Sequence, residues 1–151
     1  YNVQLIDNSI YVTYAKIGDY GSEVLAAGAG IVNIFNTDGS FAKRFVTNGK
    51  LNAPWGITKA PSSFFGADSA KYINTILVGN FGDGHINAFS ATGNFLGELR
   101  KNGDVISING LWGISFAPTS ATSIDPNRLY FNAGPSSEKD GLFGYITKKD
   151  K

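Results

Sequence analysis

Five polar side chains stand at the ends of apolar segments, where they could bind a metal ion or a hydroxylated ligand. They are Asn52, Asn80, Asp83, Asn109 and Asn132. Amide and carboxylate oxygens are the ligands that Ca²⁺ takes in proteins. Asn and Asp also serve turns, where their side chains cap backbone groups. Two interpretations are therefore open: a ligand site whose metal the sequence does not specify, and a set of turn residues. The second is the simpler one.

The segment Asn80–Gly84, which reads Asn-Phe-Gly-Asp-Gly, has the composition of a phosphate or calcium loop. It lacks the Lys-Ser/Thr of a phosphate loop and the regular carboxylates of an EF-hand, so a tight turn is the better interpretation. His85 follows it and is the only histidine. No spacing groups it with a Ser and an Asp as in a catalytic triad. We expect an ordinary surface histidine, and we identify no catalytic residues.

Trp55 and Trp112 each open an apolar segment after a turn. Their rings could stack on a sugar or another aromatic ligand. They could equally be wedges between neighbouring structural units, and this interpretation is favoured because both occupy the same place in a repeat. Each is followed by a glycine, which suits a crowded strand where a side chain would not fit.

The repeat itself is visible in the sequence. Leu-Asn-Ala-Pro-Trp-Gly-Ile at 51–57 returns as Ile-Asn-Gly-Leu-Trp-Gly-Ile at 108–114, and both are followed by Ala-Pro. An earlier copy starts at Tyr1. Hairpin turns are predicted at 36–40 and 90–94, where Gly, Asn and Ser cluster between apolar segments. Each unit therefore consists of four short strands.

The units predict an all-β fold, a β-propeller of about three four-stranded blades, which is half of a six-bladed ring. The predicted blades are residues 1–50, 51–107 and an incomplete third at 108–151, with first strands at 1–6, 55–60 and 112–117. A flat sandwich would show polar-out alternation. The runs Ile-Leu-Val at 76–78 and Leu-Tyr-Phe at 129–131 are apolar throughout and show no such alternation, which argues against a sandwich.

The third predicted blade stops after its third strand, and three blades are too few to close a ring. The sequence also contains no methionine. We therefore expect this chain to be a segment of a longer protein. The expected partner is the missing N-terminal half of the propeller or a second copy of the chain.

Composition argues against nucleic-acid binding, membrane spans and cysteine chemistry. There are 13 basic and 12 acidic residues, so no field of one sign gathers nucleic acid. The longest basic run, Lys148–Lys151, fits a solvated tail. No apolar run approaches the ~20 residues of a membrane span. Cysteine is absent, which excludes disulfides and thiolate chemistry.

Several of these segments resemble an uncharacterised family of exported bacterial proteins with six-bladed, NHL-like propellers, associated with the PEP-CTERM sorting system. The resemblance rests on the segments 51–57, 77–84, 86–89, 110–113 and 141–144. It implies that this chain is the C-terminal half of such a protein and is extracellular or periplasmic. It implies no established activity and no catalytic residues.

The expected function is a non-catalytic, exported binding or scaffold module of unknown ligand that needs no cofactor. The alternative is a metal-dependent, lactonase-like hydrolase with its site, and Ca²⁺ as its metal, on the Asn-rich axial face. Such an enzyme normally needs an acidic metal ligand and a base, and Asp83 is the plausible carboxylate here. Whether the protein is an enzyme therefore stays open, with the non-catalytic role preferred.

Overall fold

The computed structural model describes residues 1–148, so most of the basic run at Lys148–Lys151 lies outside the described residues. The fold is all-β, as the sequence predicts. The strands are β1 Val3–Ile6, β2 Ser9–Ala15, β3 Gly30–Phe35, β4 Phe41–Thr47, β5 Pro54–Lys59, β6 Ile76–Asn80, β7 Ile86–Phe89, β8 Phe95–Glu98, β9 Arg100–Lys101, β10 Asp104–Val105, β11 Leu111–Phe116, β12 Leu129–Ala133 and β13 Leu142–Ile146. Short helical turns lie at Asp19–Gly21, Ser62–Asp68 and Pro135–Glu138.

The strands form three antiparallel meanders in chain order. The first sheet has the order β1-β2-β3-β4, the second β5-β6-β7-β8 and the third β11-β12-β13. A small ribbon, β9-β10, lies in the link between the second and third sheets. The three sheets begin with β1, β5 and β11, which agrees with the first strands expected near 1–6, 55–60 and 112–117.

The hairpins that close the first two sheets are fixed by local chemistry. In the turn after β3, Asp38 accepts hydrogen bonds from the backbone N–H and the hydroxyl of Ser40, and these bonds lower the pKa of Asp38. In the turn after β7, the Ser90 hydroxyl accepts from the backbone of Asn94. Glycines with positive φ complete both turns, where other residues would be strained.

The first and second sheets pack face to face around one apolar cluster. Its buried side chains include Val32 and Phe45 from the first sheet and Ile57, Val78 and Phe89 from the second. Because successive side chains of a strand point to opposite faces, these residues share the face that each sheet turns to the other. This cluster joins two sheets that share no strand pairing.

A second cluster joins the second and third sheets. It contains Leu77 and Ile86 from the second sheet and Leu111, Ile114 and Leu129 from the third. Leu77 lies between Ile76 and Val78, which face the first sheet, so the second sheet is buried on both faces. That two-sided burial is why the run at 76–78 is apolar throughout.

The second and third sheets approach each other most closely at their first strands. A Cβ atom on Gly56 of β5 would lie 2.7 Å from the carbonyl oxygen of Trp112 and 2.8 Å from the nitrogen of Ile114. Both contacts are with backbone of β11, which cannot rotate away. The glycine after Trp55 is therefore required by tertiary packing.

Within residues 1–148, no helix has the length and apolar character needed to cross a membrane. Each predicted blade range contains one of the three sheets, and the sheets do not close into a ring within these residues. The propeller stays a prediction.

We predict that Gly56→Ala lowers the free energy of unfolding by about 1–3 kcal/mol, because the added methyl group overpacks the contact between β5 and β11. Urea denaturation followed by circular dichroism measures the change. Gly141→Ala is the matched control, because a Cβ there meets no atom within 4 Å. Equal stability of the two variants would contradict this close approach.

Candidate functional site

Three of the five predicted site residues meet at one end of the interface between the first and second sheets. Asn52 lies in the link between these sheets, Asn80 ends β6, and Asp83 lies in the turn between β6 and β7. The expected tight turn at Asn80–Gly84 is present, with the Gly84 N–H donating to the Asn80 carbonyl at 3.1 Å. We call Asn52, Asn80 and Asp83, together with Asn87 and Glu98, the Asn–Asp cluster.

Asp83 is the centre of the cluster. Its Oδ1 accepts hydrogen bonds from Asn80 Nδ2 at 3.1 Å and from the His85 backbone N–H at 3.0 Å. Its Oδ2 accepts from Asn52 Nδ2 at 3.3 Å. The carboxylate therefore ties the β6–β7 turn to the link that precedes β5.

Two buried amides hold that link to the second sheet. Asn80 Nδ2 donates to the carbonyl oxygen of Lys50 at 2.8 Å, and Asn87 Nδ2 reaches the same oxygen at 3.4 Å. Both asparagines are fully buried. Sequence reasoning missed Asn87, although its place in an otherwise apolar strand was a signal that its amide has a specific partner.

Three basic side chains lie near Glu98, which sequence reasoning also missed. Its carboxylate lies 3.3 Å from Lys50 Nζ, 3.5 Å from His85 Nδ1 and 3.7 Å from Arg100 Nη2. Glu98 pairs with Asn87 in the register of β7 and β8. The signal available in the sequence was that Glu98 is the single acidic residue of its strand. Its neighbouring strand, β7, carries the buried amide of Asn87.

His85 does not match the surface histidine expected from the sequence. Its side chain is about one-third exposed and lies between two carboxylates, with Nδ1 3.8 Å from Asp83 Oδ2 and 3.5 Å from Glu98 Oε1. The turn after β6 and the partner strand β8 create this environment. Strand pairing, rather than sequence spacing, places Glu98 beside it.

The other two predicted residues do not join the cluster. Asn109 is exposed in the link before β11. Asn132 is exposed on β12, where its Oδ1 accepts a hydrogen bond from the Gly113 N–H at 2.8 Å. Asn132 belongs to the third sheet and Asn109 to the link before it, whereas the cluster is built on the second sheet.

The tryptophans are half-buried and pack against protein groups. Trp55 lies 4.9 Å from the Tyr1 ring and 6.2 Å from the Phe81 ring, so it spans the first and second sheets. Trp112 Nε1 donates to Glu138 at 3.3 Å. Burial, together with the carboxylates of Glu23 and Glu138, raises the pKa of Tyr1 to about 12. The contacts of Trp55 fit the wedge interpretation.

Chemically, the cluster offers oxygen atoms and fixed amide dipoles. Three amide oxygens, Oδ1 of Asn52, Asn80 and Asn87, are buried and accept no hydrogen bond. In the part of the chain that the structure describes, no three His, Cys, Asp or Glu side chains are grouped to hold a metal. The donor set is therefore amide and carboxylate oxygen, which suits hard cations or water.

Comparison with known proteins gives relatives but no family. No family model matches the chain. Uncharacterized protein R648 of Acanthamoeba polyphaga mimivirus is 36% identical over 150 residues, covering 97% of this chain and 35% of that protein. Uncharacterized protein L690 of the same virus is 38% identical over 151 residues, covering 97% of this chain and 37% of that protein.

A third mimivirus relative, Uncharacterized protein R640, is 37% identical over 136 residues, covering 88% of this chain and 24% of that protein. The chain thus spans between about a quarter and somewhat more than a third of the length of these curated relatives. They are viral, whereas the resemblance drawn from the sequence is to a bacterial family. That resemblance stays a prediction.

We predict that Asn80→Ala lowers the free energy of unfolding by about 1–3 kcal/mol, because the Lys50 carbonyl loses the shorter of its two side-chain hydrogen bonds. Thermal or urea unfolding measures it. Asn109→Ala removes an equivalent side chain from an exposed link and should stay within about 0.5 kcal/mol of the parent. If Asn80→Ala is as stable as Asn109→Ala, the amide does not hold the link.

Proposed function

We propose that this chain is part of a six-bladed β-propeller that acts as a non-catalytic binding or scaffold module outside the cytoplasm. The observation that carries the proposal is the two-sided burial of the second sheet. A four-stranded meander that is apolar on both faces must be covered on both, and radial stacking of like sheets achieves this. The first and third sheets each have one neighbour within residues 1–148 and turn their other face outward.

The outer face of the first sheet carries apolar side chains. Val3 and Leu5 of β1 are 65% and 59% exposed. They pair with Val12 and Ile10 of β2, and directly opposite side chains lie on the same face. Val3, Ile10 and Val12 correspond in the repeat to Ile57, Ile76 and Val78, which the second sheet buries against the first, whereas Leu5 corresponds to Lys59. The same kind of face is therefore uncovered here.

The outer face of the third sheet is aromatic. Tyr130 is stacked on Phe143 with ring centroids 5.9 Å apart, and Tyr145 lies 6.0 Å from Tyr130. Phe143 is 74% exposed. In the second sheet the corresponding positions of β7 are Ile86 and Ala88, which are buried against the third sheet. Exposed apolar faces of this kind are typical of interaction surfaces.

Within residues 1–148, the third sheet has three strands where the other two have four. Its outer strand is β13, and the first and second sheets have a fourth strand at this position. An uncovered edge presents unpaired N–H and C=O groups that accept another strand. We infer that β13 pairs with a strand from outside this chain, as in a propeller whose last blade is completed by a distant segment.

The sheets that complete the ring come from an N-terminal half of a longer protein or from a second copy of the chain. The mimivirus relatives are long enough to supply further sheets, since the matched segment is 35% of one and 37% of another. The hydrogen bonds of the Asn–Asp cluster support the non-catalytic role, because the side chains of Asn80 and Asp83 are already bonded to backbone groups of this chain.

We predict that the purified chain associates, because its two apolar faces and its free edge are uncovered. Multi-angle light scattering should give a mass of at least twice the 16.1 kDa of one chain. Val3→Lys places a charge on the outer face of the first sheet, at the position where the second sheet buries Ile57, and should lower that mass. Ile17→Lys is the matched control, since Ile17 is 79% exposed but lies outside the sheets.

A defined dimer favours the second copy as the partner, and polydisperse association favours a missing half. A stable monomer of 16.1 kDa would contradict the proposal that these faces need covering. Equal association of the Val3→Lys and Ile17→Lys variants would also contradict it, because association would then not involve the face at Val3.

A further inference from the structure

The two interfaces between neighbouring sheets share one arrangement at the tryptophan positions. Between the first and second sheets, the Thr13 hydroxyl on β2 donates a hydrogen bond to the carbonyl oxygen of Trp55 on β5 at 3.1 Å. Between the second and third sheets, a Cβ on Gly56 of β5 would lie 2.7 Å from the carbonyl oxygen of Trp112 on β11. In both cases the backbone carbonyl at the tryptophan of one sheet lies against the first two strands of the sheet before it.

The third sheet repeats these positions on its outer face. Gly113 follows its tryptophan as Gly56 does. By strand register, Asn132 has on β12 the place that Thr13 has on β2. The Gly113 N–H donates to Asn132 Oδ1 at 2.8 Å, so the amide nitrogen of Asn132 is the group left as a donor. The third sheet therefore carries both features, a glycine and a donor beside it, that receive the next sheet at one or other of the two interfaces.

The position over Gly113 is open. Within residues 1–148, a Cβ on Gly113 would meet only the Asn132 side chain within 4 Å, whereas a Cβ on Gly56 meets the backbone of β11. Gly113 and Asn132 line a groove of about 300 Å³ on the side of the third sheet that carries Tyr130 and Phe143. The place at which the second sheet receives the third is thus accessible on the third sheet.

We propose, on the basis of the stacking of like sheets proposed above, that the outer face of the third sheet binds the outer face of the first sheet of a second copy of the chain, head to tail. Tyr1 has in the first sheet the place that Trp55 has in the second. Its carbonyl oxygen would accept a hydrogen bond from the amide nitrogen of Asn132, as the Trp55 carbonyl accepts from Thr13. This bond would set the register of the incoming first strand.

The apolar side chains beside this contact fit the same partner. Ile114 Cγ1 lies 2.9 Å from the place of a Cβ on Gly56, and Val3 has in the first sheet the place of Ile114. Val3 is 65% and Phe143 74% exposed. A head-to-tail contact would remove both side chains from water at once, and the chain carries both halves of it. A contact between two different patches is heterologous, and it closes when the copies form a ring.

Two variants that each block one half of the contact test its polarity. Gly113→Leu fills the open position on the third sheet, and Val3→Lys places a charge on the outer face of the first. Because every head-to-tail contact needs one face of each kind, either variant alone should give 16.1 kDa by multi-angle light scattering. An equimolar mixture should give a dimer, since one intact contact forms between the two variants. Gly141→Leu is the matched control and should associate as the parent does, because a Cβ there meets no atom within 4 Å.

The outcomes for this contact differ from those for the proposed function. If the parent associates and Gly113→Leu associates equally, the head-to-tail contact is wrong, although uncovered faces still drive association. A mixture of Gly113→Leu and Val3→Lys that stays monomeric while the parent associates overturns it as well. A monomeric parent contradicts both the contact and the proposed function.

Asn132→Asp decides the case even if Gly113→Leu does not fold. The carboxylate keeps an oxygen for the Gly113 N–H but replaces the donor nitrogen by an oxygen that faces the carbonyl of the second copy. The dissociation constant from sedimentation equilibrium should rise at least about tenfold, because that carbonyl is left without its donor. Asn109→Asp adds the same charge to the exposed link before β11 and should leave the constant unchanged. Equal dissociation constants of the two variants overturn the proposal.

Discussion

Burial of the second sheet on both faces is the constraint on which the rest of the structure depends. Ile76 and Val78 face one neighbour and Leu77 faces the other, so neither face of this sheet is left to water. Each sheet by itself is a small meander that buries little apolar surface. The stack therefore provides most of the apolar burial, and single sheets are not expected to be stable alone.

The links between the sheets carry the polar groups that contact an otherwise apolar stack of sheets. The link before β5 crosses from one sheet to the next and brings the backbone carbonyl of Lys50 to two buried amide side chains. Asn80 and Asn87 supply the donors that this carbonyl needs. The link between the second and third sheets instead contains the β9-β10 ribbon, and its Asn109 stays exposed. Equivalent asparagines of the repeat therefore have different surroundings.

Packing and site formation are coupled at the first strands and the turns beside them. Gly56 admits the backbone of β11, while Trp55 of the same strand contacts Tyr1 and Phe81. Phe81 begins the turn that contains Asp83, so the residues that align neighbouring sheets adjoin the residues of the cluster. A change in the spacing of the sheets would therefore alter the cluster as well.

The sequence alone determined the repeat, the all-β class, the first strand of each unit and the hairpin turns, because these follow from local composition and from the recurrence of the same segments along the chain. It also selected Asn52, Asn80 and Asp83, which meet in the structure. Tertiary structure alone decided that Asn87 and Glu98 join them, that His85 lies beside two carboxylates, and that Asn109 and Asn132 stay apart. Strand register and the path of one link set those contacts between residues up to 48 positions apart, and neither can be read from spacing along the chain.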